Sequence, residues 1–148
     1  MAQEQRTAEE GGEFAVTVIT PRGRVAELRT DAVTAPGKIG EFELLPQHLP
    51  FLTALRPGVL TLGEQGEKSV FAVGAGFLRV DLDGTVEILV EEAIAGEDVD
   101  AEPVRAEASE TKDAMDTWNE ALDADFQQLQ YRHEWASAQA EAHRRTRR

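Results

Sequence analysis

Residues with catalytic chemistry are abundant in one class here and scarce in the others. The chain of 148 residues holds 28 carboxylates, 3 histidines and no cysteine. Two carboxylates flanking a glycosidic bond are the acid/base machinery of glycoside hydrolysis. No spacing singles out a pair among these acids, which read as solvated surface. His133 and His143 lack the spacing and the neighbouring carboxylates of a metal site. No Ser/His/Asp grouping can be assembled from sequence, and the absence of cysteine excludes a thiolate nucleophile, a thiolate metal site and a disulfide scaffold. Gly74 and Gly76 in VGAGF form a lone GxG inside an extended pattern. A phosphate-cradling loop needs GxGxxG opening a helix, so close backbone packing in a sheet is the better reading. The guanidinium of Arg105, in VDAEPVRA, has the chemistry to clamp a phosphate. Arg144, Arg145, Arg147 and Arg148, in the closing HRRTRR, would offset the dipole of a helix C-terminus. These groups point to binding rather than catalysis.

Charge narrows the partners. The formal net charge is −13, which argues against nucleic acid and anionic lipid, since both require a clustered basic footprint. Residues 1–100 carry 8 basic and 18 acidic residues, while residues 101–148 carry 7 and 10. The acid excess therefore belongs mostly to the first part, and the chain ends in a basic tip. The start, MAQEQRTAEEGGE, is neither a signal peptide nor an Arg-rich transit peptide, and residues 1–13 read as a flexible leader. No apolar run approaches the roughly 18 residues of a membrane span. A soluble, cytoplasmic chain is expected.

The elements that must position these groups change abruptly along the chain. All 12 glycines lie at or before Gly96, and only Pro103 among the prolines lies beyond Pro57. Glycine punctuates turns and weakens helix interiors, so its disappearance marks a switch from turn-rich to helical structure near 96–102. In the first part, Phe14, Val16 and Val18 alternate with Ala15, Thr17 and Ile19 at a strand's period of two. Extended runs follow near 25–29, 31–35, 41–45, 58–62, 69–73, 77–82 and 85–91. Asp83-Gly84 reads as a two-residue hairpin turn, with Leu78, Val80 and Leu82 sharing a face. The spacing predicts an N-terminal flattened antiparallel β-sandwich or barrel over 14–96. Beyond it, 97–148 reads as a C-terminal two-helix hairpin. Pro103 suits a first helical turn, and Val104, Ala108, Thr111 and Met115 form a thin apolar stripe. Asp116 or Thr117 would cap a second helix from Trp118. Along that helix Trp118, Leu122, Phe126 and Leu129 lead one seam; Tyr131, Trp135, Ala138 and Ala142 make a second strip. So thin an apolar content predicts a helical pair that docks on something else.

The segment TAPGKIGEFELLPQHLPFLTALRPGVLTL (34–62) resembles the epsilon subunit family of F-type ATP synthases, called delta in mitochondria. Thr34 to Gly37, Gly40, Glu41, Leu45, Pro46, His48, Pro50 and Leu52 to Leu55 match the family's pattern in order, as do Pro57 to Leu60. FAVGAGFLRVDLDGTVEILVEEAI (71–94) continues the likeness. The resemblance implies a sandwich of about ten strands followed by a helical hairpin, in a non-catalytic subunit of the central rotor stalk. It implies that the sandwich holds the gamma subunit and the c-ring, at the cytoplasmic face of a bacterial plasma membrane, without inserting into it. The two helices would inhibit ATP hydrolysis by reaching the alpha and beta subunits. The competing class is a free-standing β-sandwich enzyme or ligand binder.

Individual residues carry over position by position. Glu41 and His48 match the family's loop that meets the c-ring, and Glu43 and Gln47 stand where the family usually or often has glycine. Arg144, Arg145, Arg147 and Arg148 match a basic end that faces acidic surface on the catalytic head. Some bacterial members bind ATP through I/L-D-x-x-R-A. VDAEPVRA either separates Asp100 from Arg105 by two extra residues or replaces the leading pair by Ala101 and Glu102. That departure argues against nucleotide, so no cofactor is expected, with Arg105 the one residue retaining the chemistry.

Overall fold

The computed structural model describes residues 12–64 and 67–147. Ten strands, β1 (Phe14–Thr20), β2 (Gly23–Thr30), β3 (Val33–Gly37), β4 (Gly40–Leu44), β5 (Phe51–Leu55), β6 (Gly58–Leu62), β7 (Ser69–Val73), β8 (Gly76–Val80), β9 (Val86–Val90) and β10 (Ala93–Ala95), precede the helices α1 (Ala101–Asp116) and α2 (Ala124–Thr146). The strands follow the order β10-β7-β6-β3-β5-β8-β9-β1-β2, with β4 on β3. All pairings are antiparallel except β1 with β9. One residue pair, Gly37 with Leu55, joins β3 to β5. The path turns there, so β10-β7-β6-β3 and β5-β8-β9-β1-β2 form two layers of a nearly closed sandwich.

Alternation decides what lies between the layers. Val16 and Val18 of β1, Leu78 and Val80 of β8, and Val86, Ile88 and Val90 of β9 are buried with Leu60, Leu62, Phe71 and Val73 from the opposite layer. At about 25 cal/mol per Å² of apolar surface removed from water, such residues supply most of the stabilising free energy. The expected sandwich followed by two helices is what the chain forms.

Three local expectations change. Strand β5 lies in the stretch before Pro57 that the hydropathy reading passed over. The β8–β9 connection is not a two-residue turn: the Asp81 N–H donates to the Thr85 carbonyl at 2.9 Å and the Gly84 N–H to the Asp81 carbonyl at 3.0 Å. That is a three-residue loop with Gly84 at φ +86°, a position suited to glycine because it has no Cβ. Leu82 therefore leaves the face of Leu78 and Val80 and is exposed. Finally, α2 begins at Ala124, not Trp118. Asp116 is engaged by Lys112 at 2.9 Å, and the Thr117 hydroxyl donates back to the Asp113 carbonyl at 3.0 Å, so neither is free to open a helix. Asp123 does so, its Oδ1 accepting from the N–H groups of Asp125 at 3.0 Å and Phe126 at 3.3 Å.

Helix α2 carries the arm. Ala138 and Ala142 are buried against Val59 of β6 and Ala72 of β7, with Val70, Ile94 and Trp135 around them. Alanines at the contact bring the helix axis close to the sheet. Helix α1 packs on α2, where buried Thr111 shares a hydrogen bond of 3.0 Å with His133 Nδ1 and Arg132 Nε donates to Glu107 at 3.0 Å. No helix among the described residues is long and apolar enough to cross a membrane.

Candidate interaction faces

His48 lies in the β4–β5 loop. Its Nδ1 is 2.7 Å from the Leu45 carbonyl and its Nε2 3.0 Å from the Gly84 carbonyl. The ring also meets Phe14 edge-on at a centroid distance of 4.5 Å. It thus staples the loop to the β8–β9 turn across the end of the sandwich. Next to it Gln47 has φ 68°, a left-handed conformation that favours glycine. The stapled end presents exposed Leu49 and Leu82.

Glu41 is elsewhere. It is the second residue of β4, opposite Pro36, and its carboxylate is 3.8 Å from Arg145 near the end of α2. The two residues that the sequence grouped in one loop therefore face different neighbours, His48 the turn and Glu41 the arm.

The basic tip is partly engaged as well. Arg144 pairs with Glu141 at 2.9 Å, and Arg145 reaches both Glu41 and Glu141. His143 Nδ1 lies 3.2 Å from the Gly96 carbonyl. Arg147 is exposed, Arg148 lies outside the described residues, and Arg105 is exposed on α1. Of these cations, among the described residues, Arg145 is the one ion-paired to the sandwich, through Glu41.

At the other end of the docked segment, the Tyr131 hydroxyl accepts from the Ala75 N–H at 3.2 Å and donates to Glu92 Oε2 at 3.2 Å. Burial, then the carboxylates of Glu91 and Glu92, push this phenol well above its ordinary range, against the Ala75 N–H that favours the phenolate. A raised pKa supports docking while the proton is present, so this contact is constant through neutral pH and lost only in strong alkali. The glycines of VGAGF are explained by close approach: a Cβ at Gly74 would stand 2.6 Å from the Tyr131 hydroxyl, and one at Gly76 would be 2.7 Å from the Val90 Cα.

The sandwich has two outer faces, and among the described residues helix α2 covers one of them. Over β6, β7 and β10, the row Val59–Ala72–Ile94 lies beneath α2. Across the second layer, Ile19 pairs with Leu89, Leu89 with Phe77, and Phe77 with Ala54. These point away from the core, and Phe77 remains 53% and Leu89 43% exposed. Beside them runs Leu52–Arg79–Glu87–Thr17, where Arg79 is ion-paired to Glu87. This apolar row makes the second layer's outer face a candidate for docking another protein. Sequence reasoning missed it, although a signal existed: Phe77-Leu78 and Ile88-Leu89 place apolar residues on both sides of strands that should alternate. No group of three or more His, Cys, Asp or Glu side chains placed to hold a metal occurs among the described residues.

Comparison with known proteins gives the family and the fold. The family described as ATP synthase, Delta/Epsilon chain, beta-sandwich domain matches residues 13–96. An ATP synthase epsilon chain from Anaeromyxobacter sp. (strain Fw109-5) is 38% identical over 66% of this chain and 74% of its own length. One from Trichlorobacter lovleyi is 37% identical over 66% and 70%. Among solved structures, a chain of the Euglena gracilis mitochondrial ATP synthase (OSCP/F1/c-ring) superposes with a TM-score of 0.74 at 22% identity, over 88% of this chain and 81% of that one. A chain of the Tetrahymena thermophila mitochondrial ATP synthase central stalk and c-ring gives 0.63 at 18%, over 87% and 95%. These two share the fold. With its sandwich matched from end to end and the helical pair in place, the chain belongs to the ATP synthase delta/epsilon chain family.

Proposed function

We propose that this chain is the non-catalytic epsilon subunit of a proton-translocating F-type ATP synthase, working in the central stalk at the cytoplasmic face of the membrane. The match over residues 13–96 carries the reading. The bare row Ile19–Leu89–Phe77 supports it, because a lone subunit has no need to leave apolar side chains on an outer sheet face. In this reading gamma docks on the bare face. The stapled end, with His48, Leu49 and Leu82, meets the c-ring, and Glu41 contributes at its own edge. The segment 97–148 is the regulatory arm, which restrains hydrolysis when Arg144, Arg145, Arg147 and Arg148 reach the alpha and beta subunits.

The test is co-purification with gamma, followed by ATP hydrolysis in the assembled complex with and without residues 101–148. Association with gamma is expected, and removal of the arm should raise hydrolysis about 5-fold or more, the lower range of a regulatory coupling. Hydrolysis unchanged under every nucleotide and proton-gradient condition would remove the inhibitory role. A second expectation concerns the rotor contact. Glu41→Gln combined with His48→Ala should lower the protons pumped per ATP hydrolysed while hydrolysis continues, as read by acidification of inverted vesicles. Normal pumping would reject these two positions.

A further inference from the structure

Five residues among those described have a positive φ, and four of them are glycines: Gly23, Gly40, Gly63 and Gly84. The fifth is Gln47, at φ 68° in the β4–β5 loop. In the left-handed region a Cβ crowds the following carbonyl oxygen, a cost that glycine escapes. Such strain persists only where the surroundings over-determine it. Here both flanks are pinned. Pro46 precedes Gln47 with its own φ fixed by the ring. The His48 ring that follows is held to the Leu45 carbonyl at 2.7 Å, to the Gly84 carbonyl at 3.0 Å and against Phe14. Nothing inside the chain accounts for a glutamine at this strained position. Its carboxamide is exposed and makes no hydrogen bond among the described residues.

We infer that Gln47 is a recognition residue of the stapled end, held in a strained conformation so that its carboxamide meets a peptide group or an uncharged polar side chain of the c-ring. The inference rests on the reading of that end as the ring contact. The chemistry of the occupant follows from the surroundings. A carboxamide carries two N–H donors and a carbonyl acceptor, which is the complement of a peptide group. Exposed Leu45 and Leu49 flank Gln47 in its loop, and exposed Leu82 lies on the β8–β9 loop to which His48 is bonded. On docking, these leucines exclude water. A charge brought there would lose its hydration with no ion to replace it, whereas two neutral groups that bond one another are desolvated at far lower cost. Pinning the backbone beforehand also spares the loss of loop freedom on binding. In this account His48 is a positioning residue for Gln47, and the glutamine makes the contact.

The experiment uses the full chain paired with the gamma subunit of its own ATP synthase, and the purified c-ring. Two quantities are measured: the affinity of the pair for the ring, and the thermal midpoint of the chain. Gln47→Gly removes the strain together with the carboxamide. It is expected to raise the midpoint by about 2–4 °C and to weaken ring binding by about 3- to 10-fold, the loss of one hydrogen bond. Gln47→Ala keeps a Cβ at the same φ and removes the carboxamide alone. It should weaken binding by the same factor with no gain in midpoint. Stability and affinity thus move in opposite directions in the glycine variant, which a purely structural residue would not produce. A midpoint that does not rise in Gln47→Gly overturns the inference, as does full affinity in Gln47→Ala. In both cases the unaltered pair still binds the ring, so the underlying reading stands. Failure of the unaltered pair to bind the ring overturns both.

Discussion

Phe77→Glu combined with Leu89→Glu is expected to weaken association with the gamma subunit by about 100-fold or more. The two side chains are cross-strand partners at the centre of the bare row, and each is about half exposed in the free chain. Large apolar residues at the centre of an interface cost about 2 kcal/mol or more each when lost, and each 1.4 kcal/mol is a factor of ten. A carboxylate at the same position adds desolvation to the lost contact. Because both side chains point away from the core, the thermal midpoint should move by only a few degrees. Leu122→Glu is the control: this residue is 72% exposed but lies in the connection between the helices. Affinity is to be measured by titration against gamma. Equal affinity in the double variant and the control would remove the bare face from the interface.

Gly76→Ala should destabilise the sandwich by about 3 kcal/mol, lowering the unfolding temperature by roughly 10 °C. Gly76 lies in β8 opposite Val90 and Leu55, at the point where β8 is hemmed between β9 and β5. Its added Cβ would overlap the carbonyl oxygen of Leu89 and stand 2.7 Å from the Val90 Cα. Those are backbone atoms in a paired strand, so nothing can rotate away and the ladder itself must move. Gly84→Ala provides the contrast. There the space is open, but φ is +86°, and the cost is the conformational one of about 1–2 kcal/mol. Calorimetry on both variants separates steric exclusion from backbone strain; an undisturbed Gly76→Ala protein would contradict the packing described for β8.

The value of the sequence reading differs from residue to residue. The GxG of VGAGF was legible as close packing, and the structure supplies the atoms: Tyr131 at Gly74 and the β9 backbone at Gly76. The helical pair read as thin enough in apolar content to dock on something else, and the structure shows that it is the strip Tyr131, Trp135, Ala138 and Ala142 that lies on the sandwich. The start of α2 was misplaced because Asp116, Thr117 and Asp123 are all acceptable caps by type. Which one caps depends on bonds already made to Lys112 and Asp113. The resemblance put His48 and Glu41 on one loop, yet Glu41 on β4 and His48 in the loop after it meet different neighbours, Arg145 and Gly84.

What the sequence by itself determined is the division into a glycine-punctuated β part and a glycine-free helical part, the in/out alternation along most strands, and the family. Each is encoded locally, in spacings of two to four residues or in a contiguous run of motif residues. What only the tertiary structure decided is which outer face of the sandwich the arm covers and which it leaves bare. That choice rests on contacts such as Tyr131 with Ala75 and His143 with the Gly96 carbonyl, separated by 56 and 47 residues. Both outer faces present apolar rows at the same period. The difference between them arises from the shape of a helix lined with alanine fitting over one row, a complementarity between distant surfaces that no local spacing records.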